Sequence, residues 1–254
     1  MSKPLVANHG FKKVVIGDAE LWCGDALQIL NHMINDGLQV DAVVTDPPYS
    51  SGGTFKGDRA GKTSSKYLNS AQHGIYDEFT GDNRDQRSYA FWATIWLHMC
   101  QQLLKSGGVA SVFTDWRQLP TTTDIFQSGG LLWRGIGVWD KTQGCRPHKG
   151  RFRNQAEYFV WGSNGPMNPA RDVYAPGVFT ASPNSEPKQH IAGKPAVMLE
   201  WVLSICGDVI LDPFMGSGST GVAALRTGRK FIGIELMDSH FETACQRLEK
   251  AQQS

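Results

Sequence analysis

Four consecutive residues carry the clearest chemical signal in the chain. Asp46-Pro47-Pro48-Tyr49 follows a short apolar run that ends at Thr45. Two adjacent prolines fix φ and remove two backbone donors. They leave a carboxylate and exposed carbonyls, a rigid group of acceptors with an aromatic ring close by. Such a group suits a planar ring that bears an amino group, donates hydrogen bonds and is stacked upon. An exocyclic amine on a nucleobase is a poor nucleophile, because its lone pair is delocalised into the ring. Accepting both N–H hydrogens out of the plane favours a tetrahedral nitrogen and frees that lone pair.

A second segment, Asp212-Pro213-Phe214-Met215-Gly216-Ser217-Gly218-Ser219-Thr220, follows an apolar strand and opens a helix. Its glycines let backbone approach a ligand without a Cβ in the way. Glu235 ends the next strand, 17 residues beyond Gly218. A carboxylate there can accept hydrogen bonds from both hydroxyls of a ribose. The order strand, glycine turn, helix, strand, acid is that of an adenosine-type cofactor site. A phosphate-binding loop would need Gly-Lys before Ser or Thr, and no lysine precedes Ser219-Thr220. Gly216, Gly218 and Gly221 do keep a G-x-G-x-x-G spacing. This segment alone therefore leaves a nicotinamide dinucleotide open.

The elements that must position these loops alternate between strand and helix. Val14–Ile16 and Glu20–Cys23 flank Gly17-Asp18 as a small hairpin. Ala26–Ile34 has helical periodicity, and Val40–Thr45 is a strand. Ser88 is the expected N-cap of a helix whose Trp92, Ile95, Trp96, Met99 and Leu103 share one face, ended by Gly107-Gly108. Further strands are expected at Val109–Phe113, Leu132–Trp139, Glu157–Trp161, Val209–Leu211 and Phe231–Glu235. Helices are expected at Pro195–Ile205, Gly221–Arg226 and Ser239–Ala251. This alternation predicts one α/β domain over 1–254, a doubly wound, mostly parallel sheet of about seven strands with an antiparallel hairpin strand. Two insertions stand out. Residues 50–87 form a long loop, expected to be mobile and to order over a ligand. Residues 162–190 form a short irregular segment. Ligands of such sheets bind beyond the carboxyl ends of strands, near the point where strand order reverses. The loops at Asp46 and Asp212 both leave such ends and are expected to share a crevice.

With these two motifs, the chain resembles the amino-group DNA methyltransferases that use S-adenosyl-L-methionine. The catalytic motif comes first and the cofactor loop last, which resembles the permuted β-type order of the Rossmann-like class I methyltransferase fold. Gly24-Asp25 and Gly193-Lys194-Pro195 are similar to two cofactor-side motifs of that family. The resemblance implies cofactor contacts from Asp25, Lys194, Asp212, Phe214, Gly216, Ser217, Gly218 and Thr220, with Glu235 on the ribose. It implies that Asp46 and the Pro47 carbonyl accept hydrogen bonds from the target amine, that Pro48 keeps the motif rigid and that Tyr49 stacks on the base. Transfer would be direct and in line, on a base flipped out of the duplex. Asp in the first motif position favours adenine N6 over cytosine N4. The remaining alternatives are amino-group methylation of RNA or protein, and a non-catalytic nucleic-acid-binding protein with the same fold.

Composition bounds these expectations. The 254 residues carry 25 Lys plus Arg against 24 Asp plus Glu, a net charge of +1, and 41% are apolar. That excludes a disordered or fibrous chain. The neutral average gives no general reason to expect DNA, but the segment 141–153 does. It reads KTQGCRPHKGRFR, with five Lys or Arg in thirteen residues and no acid. Lys141, Arg146, His148, Lys149, Arg151 and Arg153 are therefore candidate DNA contacts, with Phe152 as a candidate second-side contact to the flipped base. Lys56, Arg59, Lys62 and Lys66 make the start of the long loop basic as well. In the family the chain resembles, target recognition falls between the second hairpin strand and the cofactor motifs, here 162–190. So short a segment implies a short or relaxed recognition sequence, as in stand-alone phage-type or prophage-type enzymes. The sequence leaves open a homodimer and a partnership with a nuclease in restriction-modification. Five cysteines at long spacings fit neither a disulfide framework nor a metal site. Without a run of about 18 apolar residues, no membrane association is expected, and the expected compartment is the cytoplasm.

Overall fold

The computed structural model of the protein describes residues 5–6, 10–49, 84–145, 147, 149–170, 172–182 and 194–253. In chain order the elements are β1 (Leu5–Val6), β2 (Lys12–Ile16), β3 (Ala19–Cys23), α1 (Ala26–Asn35), β4 (Val40–Thr45), α2 (Gln86–Leu103), β5 (Leu104–Thr114) and α3 (Leu119–Ser128). There follow β6 (Leu132–Asp140), β7 (Ala156–Ser163), β8 (Val178–Thr180), α4 (Ala196–Leu203), β9 (Val209–Asp212), α5 (Ser219–Arg226), β10 (Lys230–Glu235) and α6 (Asp238–Gln252).

The ten described strands form one sheet in the order β1-β2-β3-β10-β9-β4-β5-β7-β6-β8. The expected architecture holds, with more strands than the seven anticipated. The additional ones are short edge pieces such as Leu5–Val6 and Val178–Thr180, which have too few residues to show a period. The five central strands β3, β10, β9, β4 and β5 run parallel. The outer pairs β2–β3, β5–β7 and β6–β7 are antiparallel.

Helices cover both faces, so the central strands read as continuous apolar runs. On one face, Met198, Leu199 and Val202 of α4, Val222–Ala224 of α5, and Phe241, Ala244 and Leu248 of α6 pack on Ala42, Val44 and Ile210. On the other, Ile29, Leu30 and Met33 of α1, Trp96, Leu97 and Cys100 of α2, and Ile125 and Phe126 of α3 pack on Val40, Val43 and Leu211. From β4 the chain passes through α2 to β5 on one side. From β9 it passes through α5 to β10 on the other. Strand order thus reverses between β4 and β9, which leaves a crevice at their carboxyl ends.

Several local expectations are corrected. The N-cap of α2 is Asp85, not Ser88. Its Oδ1 accepts from the backbone N–H of both Arg87 and Ser88 at 3.0 Å, and the Ser88 hydroxyl donates to Oδ2 at 2.7 Å. The long loop therefore ends before 87. Its residues 50–83 lie outside those described. The buried stripe of α2 is Tyr89, Ala93, Trp96, Leu97, Cys100 and Leu103, rotated from the predicted one, and Ile95 is exposed. Trp92 is partly buried, packs against that core and also lines the cleft described below. The helix ends at Leu103, and Gly107-Gly108 lie inside β5. Helix α3 has no counterpart in the periodicity, because Pro120 and Thr121–Thr123 are weak helix formers. Burial of Thr121, Thr122, Ile125 and Phe126 outweighs that preference. The segment 162–190 begins inside β7 and contains β8, and its residues 171 and 183–190 lie outside those described. No helix among the described residues is long and apolar enough to cross a membrane.

The capping correction is testable by thermal melting. Asp85→Ala removes the acceptor of two helix N–H groups and should lower Tm by about 2–4 °C. Ser88→Ala should lower it by less, and the reverse ranking would restore Ser88 as the cap.

Candidate active site

The carboxyl ends of β3, β4, β9 and β10 open onto one cleft of about 700 Å³. Asp46, Pro47, Pro48 and Tyr49 line it, together with Asp25, Lys194, Asp212, Phe214, Gly216, Ser217, Thr220 and Glu235. Two loops that lie 166 positions apart in sequence, at Asp46 and Asp212, thus meet. Parallel pairing of β4 with β9 brings them together, in the register Val43↔Leu211. The pairing is locked at its end by the Thr45 hydroxyl, which donates to Asp212 Oδ1 at 2.7 Å.

The glycine loop is held from two sides. Gly216 donates its N–H to Glu235 Oε2 at 2.9 Å, and Met237 N–H donates to Oε1 at 2.8 Å. Both oxygens of Glu235 are thereby oriented. Arg247 of α6 donates to the Ser217 carbonyl at 2.7 Å and to the hydroxyls of Ser217 and Ser219 at 2.8 and 3.2 Å. The two glycines have different tasks. At Gly216 (φ +52°) a Cβ would meet nothing within 4 Å, so this glycine serves the left-handed turn at the cleft wall. Gly218 (φ +79°) does not line the cleft and packs on α6, where a Cβ would come within 2.8 Å of Leu248 Cδ1. Asp25 caps α1 through Gln28 N–H at 3.1 Å and is exposed at the cleft.

The Asp46 tetrapeptide is held by charge. Lys194 Nζ lies 2.6 Å from Asp46 Oδ2 and 2.8 Å from Glu157 Oε1, and 4.5 Å from the centre of the Phe113 ring. The Lys194 side chain is only 9% exposed. Burial alone would lower its pKa, but the two carboxylates outweigh burial and raise it, so Lys194 is charged. Burial would likewise raise the Glu157 carboxyl, yet Lys194 and Lys141 hold it below the ordinary carboxylate range. Among the described residues no cation pairs with Asp212, and burial pushes its carboxyl up to about 6. Glu235 is also raised, chiefly by burial. Aromatic rings close one wall. Phe214 lies 5.2 Å from Trp92 and 5.1 Å from Trp96, and Arg84 sits 4.2 Å over Trp92.

A family model described as DNA methylase matches residues 40–246. The chain belongs to this N6/N4 DNA methylase family. Type II methyltransferase M.HinfI of Haemophilus influenzae is 27% identical over 254 residues, covering 89% of this methylase and 67% of that chain. YubD of Escherichia coli (strain K12), which bears a methylase name, is 28% identical over 236 residues, covering 91% and 90%. Among solved structures, the M1.HpyAVI–SAM complex superposes with a TM-score of 0.66 at 24% identity, covering 91% of this chain and 98% of that one. PvuII DNA methyltransferase, titled cytosine-N4-specific, gives 0.64 at 17% identity, covering 94% and 92%. These last two are likenesses of fold.

The basic strip of the methylase lies on the connection between β6 and β7. Among its described residues only Lys141 lines the cleft, where it is 3.6 Å from Glu157 Oε2. Lys149, Arg151, Phe152 and Arg153 are exposed outside it, and Arg153 donates to the carbonyls of Gln143 and Cys145. Arg146 and His148 lie outside the described residues. Cys23, next to the cleft, keeps its proton, because burial pushes its thiol up to about 12. Sequence reasoning missed Arg84, Phe113, Glu157, His240 and Arg247, and placed Trp92 only on one face of its helix. Glu157 and Arg247 sit in ordinary strand and helix patterns, so only their spatial neighbours mark them.

Asp212 yields a pH prediction. Its folded pKa exceeds the ordinary value of 3.8. Between roughly pH 4 and pH 6 the folded state holds the extra proton, so its contribution to stability is present at the acid end and lost as pH rises. Asp212→Asn removes that loss. The stability difference between variant and wild type, read from urea midpoints, should therefore shift in favour of the variant from about pH 4 to about pH 6 and then level off. A difference independent of pH would refute the assignment. Gly218→Ala should destabilise the fold by about 1–3 kcal/mol, because it combines left-handed strain with a clash. Denaturant titration would measure it.

Proposed function

We propose that this DNA methylase transfers a methyl group from S-adenosyl-L-methionine to the N6 amino group of adenine in DNA. Asp46 carries the reading. It is the first residue of the tetrapeptide, stands at the carboxyl end of β4 and faces the glycine loop across the cleft. Among enzymes of this kind, Asp in that position favours adenine over cytosine N4.

The cleft residues fit the cofactor. Asp212 and Glu235 line it, and a sulfonium cation would be favoured beside them. Glu235, oriented by Gly216 and Met237, offers the remaining lone pairs of its two oxygens to ribose hydroxyls. When bound, the cofactor supplies an electrophilic methyl group to an in-line attack. The chain's own residues align the amine. Asp46 and the Pro47 carbonyl accept its hydrogens, and Tyr49 supports the ring from one side. Most of the rate gain comes from that alignment. Asp46 need not be a strong base, since the nitrogen sheds a proton only after it becomes cationic. The exposed Lys149 and Arg151 supply cations for the phosphate backbone. The short interval between β7 and α4 leaves room for few base contacts, which supports a short or relaxed recognition sequence.

Methylation-sensitive sequencing of DNA from cells that express the protein should return N6-methyladenine in a short motif. N4-methylcytosine instead would overturn the target, and a six-base motif would overturn the relaxed recognition. Asp46→Ala should cut kcat by about a hundredfold or more, with cofactor binding largely kept. Measuring both separates a lost acceptor from a collapsed cleft.

A further inference from the structure

The cleft contains a carboxylate that the proposed reaction does not use. Glu157 stands near the start of β7, opposite Trp139 of β6, and its side chain lines the cleft. It contacts two lysines, Lys194 at 2.8 Å and Lys141 at 3.6 Å. Lys194 in turn contacts Asp46 at 2.6 Å. The result is a chain of alternating charge, Asp46–Lys194–Glu157–Lys141, with two anions and two cations. It runs from the catalytic carboxylate to the first residue of the basic strip.

We infer that Glu157 is a positioning residue for methyl transfer, acting on Asp46 through Lys194. The inference rests on the methyl-transfer reading above. An ammonium has three donors. In Lys194 one faces Asp46 and one faces Glu157, and the Phe113 ring bounds the group on a further side. Sharing between two carboxylates turns a second donor of the ammonium away from Asp46, which it meets through Oδ2. Asp46 then retains acceptor capacity for the target amine. Without the Glu157 charge, the cluster becomes net positive. Lys194 would be drawn wholly to Asp46 and would compete with the amine for its lone pairs.

The backbone near Glu157 is built to hold this register. Lys141 N–H donates to the Gln155 carbonyl at 2.9 Å. Asp140 accepts from Thr142 N–H at 2.8 Å and from Gln155 Nε2 at 2.7 Å. Thr142 itself sits at φ +60°, a conformation that a β-branched residue adopts only under constraint. These contacts fix the ends of β6 and β7, so Lys141 and Glu157 meet at the cleft mouth.

The test uses the full chain, duplex DNA and radiolabelled S-adenosyl-L-methionine, with wild type, Glu157→Gln and Glu157→Asp. Glu157→Gln should lower kcat about tenfold or more, while KM for DNA and Kd for the cofactor stay within about threefold. Glu157→Asp keeps the charge and should retain at least about a third of wild-type kcat. That variant tests the idea even where the Gln protein does not fold. A Gln variant with kcat within about threefold of wild type, or one that loses cofactor affinity in proportion to kcat, would overturn the inference. So would an Asp variant as inactive as the Gln variant. A wild-type protein that transfers no methyl group to DNA would instead overturn the underlying reading, and the inference with it.

Discussion

One buried ammonium joins the parts of the cleft. Lys194 immediately precedes Pro195 and α4, yet its charge lies between Asp46, just beyond β4, and Glu157 on β7. Three segments far apart in sequence are tied at that point. Burying charge is costly, and a buried pair often contributes less than an apolar substitute of the same shape. The cost is offset only where geometry is close, as the 2.6 and 2.8 Å contacts are. An apolar cluster would hold the same three segments together, but it would leave no oriented carboxylate at the end of β4. The arrangement is better explained by chemistry than by stability.

The opposite half of the cleft is held differently. There the acids are oriented by neutral donors. Asp212 accepts from the Thr45 hydroxyl and from Phe214 N–H, and Glu235 accepts from Gly216 and Met237 N–H. With no nearby cation strong enough to offset burial, both carboxyls rise in pKa. The two halves therefore differ in electrostatic character. The Asp46 side is internally neutralised, whereas the Asp212 and Glu235 side favours an incoming positive charge. That asymmetry matches a cationic methyl donor on one side and a neutral amine on the other.

The whole-chain charge of +1 conceals this distribution. The basic strip is not uniformly available for a phosphate backbone. Lys141 is engaged with Glu157, and Arg153 donates to two carbonyls of its own loop. Lys149 and Arg151 remain exposed, and Phe152 stands wholly in solvent between two arginines. An aromatic ring between cations suits a polyanion that carries stacked bases.

The sequence by itself determined the fold class, the hairpin that contains β3, the other central strands β4, β5, β9 and β10, and the two loops that form the cleft. Prolines, glycines and apolar runs act locally, so their consequences are legible in the order of residues. It also determined that Asp46 and the glycine loop belong to one site, because parallel strands put their carboxyl ends on one edge. Only the tertiary structure decided what each residue of that site does to its neighbours. Lys194, expected on the cofactor side, lies against Asp46. Gly218, expected at the ligand, packs on Leu248. Trp92, expected only on one face of its helix, lines the cleft. Glu157 and Arg247 gave no signal at all. Each of these depends on contacts across long sequence separations, between side chains whose directions are set by sheet register and helix packing, and no local pattern encodes them.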